Sequence, residues 1–334
     1  MFLSVLRLAH SSSGTASIAK PELSRRILRR HTGLKRIRKA VIPLAGHGLR
    51  MLPATLAVRK ALFPIVDARG RVCPVLHLIV EEAVNAGIEE IGLVIAPEDE
   101  AMVRAYFSRL PDPLKSAVGH RADLLAAAES PGELSDKVTL ILQDRPLGFG
   151  DAVLRAKSWV GGDPVLVMLG DHLYLSGEDR CCARQLLDAF AELQAPVSGV
   201  TRKSVDGIHH FGTVSGRPVP RWNGLYELDT VVEKPDPGLA RERLRVEGMP
   251  ADTYLCWFGL HAMTSDILEC LARMERDGAT DGGELQLTGA QAMLSAQRAY
   301  FALEVNGDHF DTGSPEGYVE AVAAFAGPTG ITNK

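Results

Sequence analysis

The chain has 334 residues, 46% of them apolar, with 37 Lys or Arg against 41 Asp or Glu. That length suffices for one large α/β domain or two smaller ones, and no run of about 18 to 20 apolar residues offers a membrane span. Residues 1–39 carry ten Lys or Arg against the single acid Glu22, leaving 27 basic and 40 acidic residues for an acidic body, a balance that speaks against a nucleic-acid partner.

Residues 1–38 read as a basic, disordered tail, rich in Ser and Arg; an organelle transit peptide, a basic arm and an upstream start codon wrongly chosen all fit it. The apolar start MFLSVLRLA is interrupted by Arg7, which disfavours a secretory signal. The five cysteines are odd in number and have no C-x-x-C spacing, so neither a disulfide framework nor a zinc site is expected, and a reducing, cytoplasmic setting fits. Cys181 and Cys182 read as a helix start. The ten histidines are scattered and form no metal cluster.

Val41 to Leu44 reads as a buried parallel strand, followed by a turn in which Gly46 and Gly48 flank His47. Such a turn lets backbone N–H groups approach an anion, and Arg50 and Lys60 add fixed charge. An ordinary strand-to-helix turn is the bland alternative. Pro74 to Ala86 has helical spacing, with proline at its first turn and Gly87 past its end. Strands are expected at Glu90 to Ile95, Lys137 to Leu142 and Pro164 to Leu169, with helical stretches near 98–109, up to Glu129, and at 152–159. This alternation predicts an α/β fold, a Rossmann-like, mixed but mainly parallel sheet with helices on both faces. From about residue 196 the signals turn antiparallel, with strands at 197–202, 211–215, 224–233 and 254–263. Helices at 265–276, 288–297 and 315–325 and a strand at 301–305 complete the chain. Ligands bind outside the carboxyl ends of strands in open α/β sheets, so Gly46, Gln143 and Asp171 should converge.

The run Gly46-His-Gly-Leu-Arg-Met-Leu-Pro-Ala-Thr55, then Arg59-Lys60-Ala-Leu-Phe-Pro64, resembles the phosphate loop of the UTP-glucose-1-phosphate uridylyltransferases, G-x-G-T-R-M-L-P-A-T-K-x-x-P-K-E-M-L-P. The chain departs from that pattern at Leu49 (family Thr), Leu56 (Lys), Arg59 (Pro) and Ala61 (Glu). Gln143 to Ala152 resembles the family's Q-x-x-x-x-G-x-G-H-A, with Gly148 and Gly150 kept and Asp151 in place of His. A glutamine amide both donates and accepts, which suits the O4 and N3–H edge of uracil. Gly170-Asp-His-Leu-Tyr174 also looks like the ADP-glucose pyrophosphorylases. Val231-Val-Glu-Lys-Pro235 matches V-E-K-P, Phe211-Gly-Thr-Val resembles Y-G-V-V, and Gly283-Glu-Leu-Gln-Leu-Thr288 resembles D-E-I-Q-L-T.

The resemblance, running from about Lys39 to Phe325, implies a nucleotidyltransferase domain over 39–326, with a nucleotide half (39–195) and a sugar half (196–326), and a tail at 327–334. It implies uridylyl transfer from UTP to glucose 1-phosphate. Ala45, Gly46, Gly48, Arg50, Gln143 and Gly148 would bind nucleotide; Gly212, Glu233 and Lys234 would bind sugar phosphate; Arg50, Lys60, Asp171 and Lys234 would be catalytic. Asp171 is a lone carboxylate ending an apolar strand and needs a cation or hydrogen bonds; Mg²⁺ is the economical partner, and an N-cap is the alternative. Asp311, in His309-Phe-Asp-Thr-Gly313, is a second metal ligand or a turn aspartate. His172 is an orienting group. Adjacent Glu233 and Lys234 can serve together only if the strand ends before Pro235. Other expectations are a different nucleotide (dTTP or ATP), a degenerate homologue that binds without turnover, and a dinucleotide oxidoreductase, which the missing third glycine (Met51) disfavours. A homo-oligomer is compatible with the sequence.

Overall fold

A computed structural model describes residues 35–67, 69–220 and 222–326. The basic tail before residue 35 and the tail at 327–334 lie outside the described residues. Thirteen strands occur among the described residues: β1 (Lys39–Pro43), β2 (Pro64–Val66), β3 (Val72–Pro74), β4 (Glu90–Ile95), β5 (Val138–Leu142), β6 (Val165–Met168), β7 (His172–Ser176), β8 (Val197–Ser204), β9 (Thr213–Pro218), β10 (Leu225–Val232), β11 (Thr253–Met263), β12 (Phe301–Glu304) and β13 (Gly307–Asp311).

Nine of them form one mixed sheet in the order β5-β4-β1-β6-β11-β8-β12-β10-β9. The first four run parallel, with Lys39 opposite both Glu90 and Val165. β11 then enters antiparallel to β6, and the sheet stays mixed beyond it. The apolar run of β1 has a simple cause: Ala40 and Ile42 belong to the core on one face of the sheet and Val41 to the core on the other, all fully buried. β6 divides in the same way, Leu166 and Met168 against Val165 and Val167. A strand covered on both faces carries no polar alternation.

The helices lie close to their expected places: Val75–Asn85, Asp266–Asp277, Leu287–Gln297 and Pro315–Phe325. The stretch at 98–109 is shorter than expected, a 3-10 turn at Pro97–Asp99 and a helix at Glu100–Tyr106. The helix expected at 152–159 begins earlier, at Phe149, and breaks into Phe149–Arg155 and Lys157–Val160. A helix does begin at Cys182, with Cys181 as its N-cap, and all five cysteines are free. Among the described residues no helix is long and apolar enough to cross a membrane.

Two small pairings prepare the site. β2 and β3 form a hairpin after the glycine turn. β7 pairs antiparallel with β13, which sets Asp311 opposite His172. Asp171 is therefore followed by a strand, which removes the N-cap reading for it.

Candidate active site

A cleft of about 720 Å³ opens at the carboxyl ends of β1 and β6 and brings the glycine turn, Asp171 and the V-E-K-P segment onto one wall system. Ala45, Gly46, Arg50, Lys60, Gln143, Gly148, Asp171, Gly212, Glu233, Lys234 and Asp311 all line it. Gly48 stands behind this lining and shapes the turn. It has φ 66°, and a Cβ there would stand 2.9 Å from the Thr55 methyl carbon; its carbonyl accepts from Met51 N at 2.9 Å and from Thr55 Oγ1 at 3.1 Å. Beyond the turn the chain runs through 3-10 turns at Leu49–Met51, Ala54–Leu56 and Lys60–Leu62, with no α-helix. The strand, glycine turn and helix of a dinucleotide site are thus not assembled here.

The turn delivers two cations to two carboxylates. Lys60 Nζ donates to Asp171 Oδ2 at 2.5 Å, with the Lys60 side chain 19% and the Asp171 side chain 12% exposed. Arg50 grips Asp311 with both ends of its guanidinium, Nη1 to Oδ2 at 2.8 Å and Nη2 to Oδ1 at 3.2 Å. The pairs adjoin: a Cβ placed on Gly313 would lie 2.5 Å from Asp171 Oδ2, 3.0 Å from Arg50 Nη2 and 3.0 Å from Asp311 Oδ1. The Asp171 carbonyl accepts from Thr312 N at 2.8 Å and Thr312 Oγ1 at 2.7 Å, which ties the two aspartate segments together. Burial pushes the Asp171 carboxyl upward, but Lys60, His172 and Arg50 outweigh it and hold it below the usual carboxylate range.

Donor chemistry suits a hard cation at this point. One ligand atom each from Asp171, His172 and Asp311 lies within 4.8 Å of the others, and His172 Nδ1 is buried without a hydrogen-bond partner. Two carboxylates with room for phosphate oxygens and water match the needs of Mg²⁺ better than those of a soft metal. His172 joins the two aspartates, a grouping that depends on the β7–β13 pairing rather than on spacing in sequence.

On the opposite wall, Gln143 follows β5, its backbone N–H donating to the Ile95 carbonyl at 2.9 Å. The loop after it folds against the segment around Leu285, with Leu285 N donating to Leu147 O at 2.7 Å and Gly150 N to Leu285 O at 2.8 Å. Gly148 has φ 110°, and a Cβ there would meet Leu285 O at 2.7 Å, so the loop closes only with glycine at that position.

The third wall comes from the end of β10. The strand stops at Val232, and Lys234 takes φ 44°, so Glu233 and Lys234 both reach the cleft, as the proline signal implies. Glu233 Oε2 accepts from Thr288 Oγ1 at 2.6 Å, and Glu233 Oε1 lies 3.7 Å from Lys234 Nζ. Gly212 sits against Glu233: a Cβ on it would be 3.1 Å from Glu233 Oε2. Sequence reasoning did not connect Thr288 to Glu233, although it stands in the D-E-I-Q-L-T-like run. It also passed over Trp257, His261 and Gln291, which line the cleft from β11 and the helix Leu287–Gln297. Burial drives the His261 imidazole down to about 3, and Ser198 Oγ and Gln291 Nε2 stand 2.7 and 3.0 Å from its Nδ1. The four departures from the phosphate-loop pattern diverge in fate. Leu49 and Leu56 are 70% and 81% exposed, Ala61 is buried, and Arg59 binds Asp99 at 2.6 Å and Glu98 at 3.1 Å.

Residues 39–326 match the model of the nucleotidyl transferase family, whose members generally work with a divalent metal ion. The chain is 33% identical over 295 residues to UTP–glucose-1-phosphate uridylyltransferase 2 of Streptococcus pyogenes, covering 88% of this chain and 91% of that one. It is 34% identical over 296 residues to the UTP–glucose-1-phosphate uridylyltransferase of Streptococcus pneumoniae, covering 87% and 91%. Among solved structures it resembles a UTP-bound UGPase from Acinetobacter baumannii, with TM-score 0.71, 31% identity and coverage of 86% and 93%. A UDP-glucose pyrophosphorylase complexed with UDP-glucose aligns with TM-score 0.70, 26% identity and coverage of 86% and 98%. With more than half its length matched by the family model and relatives above 30% identity across most of both chains, this chain belongs to the nucleotidyl transferase family.

Proposed function

We propose that the chain converts UTP and glucose 1-phosphate to UDP-glucose and pyrophosphate. The observation that carries this reading is the paired meeting of Lys60 with Asp171 and Arg50 with Asp311 in a cleft whose other walls present Gln143 and the Glu233-Lys234 pair. A phosphate oxygen of glucose 1-phosphate attacks the α-phosphorus of UTP in line, and pyrophosphate leaves. The nucleophile is already ionised, so the chain's task is positioning and charge neutralisation rather than proton removal.

Arg50 and the backbone N–H groups of the turn at Ala45 and Gly46 hold the β- and γ-phosphates, with Gly48 setting the course of the turn. Lys60 and Lys234 flank the reacting phosphates from opposite walls. Glu233 accepts from sugar hydroxyls, with Thr288 fixing its carboxylate and Gly212 leaving room beside it. Gln143 and the Gly148 loop receive the base. Asp171 and Asp311 would hold Mg²⁺, which supplies neutralisation of phosphate charge when bound. Residues 39–195 form the nucleotide half and 196–326 the sugar half of this one cleft.

A specific rival reading is a homologue that binds nucleotide sugar without turnover, favoured by the exposed apolar Leu49 and Leu56 at positions where the pattern has Thr and Lys. Pyrophosphate release measured over a grid of nucleoside triphosphates and sugar 1-phosphates, with and without Mg²⁺, separates the two. UTP with glucose 1-phosphate and metal should lead the grid; binding by calorimetry with no release from any pair would establish the rival.

A further inference from the structure

Gln143 is buried, and both groups next to its side-chain nitrogen are acceptors. Nε2 donates to Asp151 Oδ2 at 2.6 Å and to the Gly148 carbonyl at 3.4 Å. Reversing the amide would set Oε1 against a carboxylate and a carbonyl, so one orientation is forced. Asp151 is itself 3% exposed and fixed from behind, its Oδ1 accepting from Arg155 Nη2 at 2.8 Å while Arg155 also pairs with Glu275. Among the described residues Oε1 of Gln143 has no protein partner, and Gln143 lines the cleft. The amide therefore offers a ligand an acceptor and withholds its donor.

We propose that Asp151 is a positioning residue for base selection: it locks Gln143 so that Oε1 meets a base carrying a hydrogen at N3. This rests on the reading of Gln143 as the residue facing the base. Uracil and thymine carry N3–H and donate to Oε1. Cytosine has a lone pair at N3, which would face the amide oxygen, so it is rejected by an unmatched pair of acceptors. The lock separates the N3–H bases from cytosine and does not distinguish uracil from thymine. Asp151 touches no substrate; it acts through Gln143. The resemblance to families with His at this position gives no such assignment, since the carboxylate is this chain's own departure.

The test is Asp151→Asn, assayed for pyrophosphate release with UTP and with CTP. Arg155 would keep the new amide's oxygen, turning its NH₂ toward Gln143, and the Gln143 amide then inverts. The ratio of kcat/KM for UTP over CTP should fall by about 10²-fold, mostly through KM, because one hydrogen-bonded base contact changes sign. In a Gln143→Ala background the same Asp151→Asn change should leave the ratio unaltered, an outcome that a general loss of packing would not give. An unchanged ratio in the single variant, beside an unaltered chain that prefers UTP, overturns this assignment alone; an unaltered chain that turns over neither nucleotide overturns the underlying reading. If Asp151→Asn does not fold, the unaltered protein carries the test by competition binding. CTP and N3-methyl-UTP should each bind at least about 30-fold more weakly than UTP, and CTP binding as tightly as UTP overturns the lock.

Discussion

Removal of the Asp171 carboxylate should split metal-dependent turnover from metal-free nucleotide binding. In the structure Lys60 is held by Asp171 at 2.5 Å with the carboxylate side chain 12% exposed, so a triphosphate entering the cleft must take Lys60 from a partner already in place. Two unit charges at that range and an effective dielectric near 20 attract by about 7 kcal/mol before desolvation is subtracted, and removing one partner of such a pair usually costs the fold about 3 kcal/mol or more. Asp171→Asn should therefore be less stable alone, with Lys60 freed for phosphate. If about a fifth of the pair energy returns on binding, UTP in the presence of a chelator binds on the order of 10-fold more tightly than to the unaltered chain. Turnover with Mg²⁺ falls by about 10²-fold or more, since a ligand for the cation is gone. Calorimetric titration of UTP in chelator, set beside pyrophosphate release in Mg²⁺, reads both. Retained turnover, or metal-free affinity that falls together with turnover, would refute the reasoning.

The same partner exchange leads to synergy in the unaltered protein: Mg²⁺ should raise UTP affinity at least about 10-fold, measured by titration at fixed metal, because the cation occupies the carboxylates that otherwise hold Arg50 and Lys60. Lys234→Ala should raise KM for glucose 1-phosphate by about 10-fold or more while leaving UTP affinity in chelator within about twofold, which a two-substrate kinetic series checks. Gly148→Ala should cost about 2 kcal/mol or more in chemical denaturation, since its φ is 110° and Leu285 O stands 2.7 Å from the new Cβ. Glu81 supplies a pH signature remote from the cleft. Burial raises its carboxyl, but His77 and the two-point grip of Arg71 at 2.8 and 2.9 Å bring it down to about 2. Its contribution is present above the unfolded value near 4.3 and lost as pH falls toward 2, so Glu81→Gln should cost about 1–2 kcal/mol at pH 7 and flatten the stability curve between about pH 4.5 and 2.

Long apolar segments made most of the sheet legible. β1, β4 and β6 are covered on both faces, so their continuous apolar runs have few other structural uses, and the helix Pro315–Phe325 carries both a Pro start and an apolar stripe. What sequence missed is short and polar. β13 reads Gly-Asp-His-Phe-Asp, and its only strand partner among the described residues is β7, a segment for which no strand is expected from the sequence. Yet that pairing is what brings Asp311 beside Asp171 and His172. The site residues carried by glycine turns and by V-E-K-P were visible because their spacing is local. Thr288, His261 and Gln291 were not, because their relevance arises from β11 and the helix Leu287–Gln297 packing beneath Glu233, a relation that no local pattern encodes. Asp151 was seen only as a departure from a pattern; its contact with Gln143 gives it a purpose.

Phosphorus NMR of the unaltered chain mixed with UTP, glucose 1-phosphate and Mg²⁺ would judge the cleft as a whole. Growth of the two UDP-glucose resonances in step with pyrophosphate, abolished by chelator, is the expected spectrum. Unchanged UTP and glucose 1-phosphate signals from a folded protein that nevertheless binds UDP-glucose would contradict catalysis and leave a binding protein in its place.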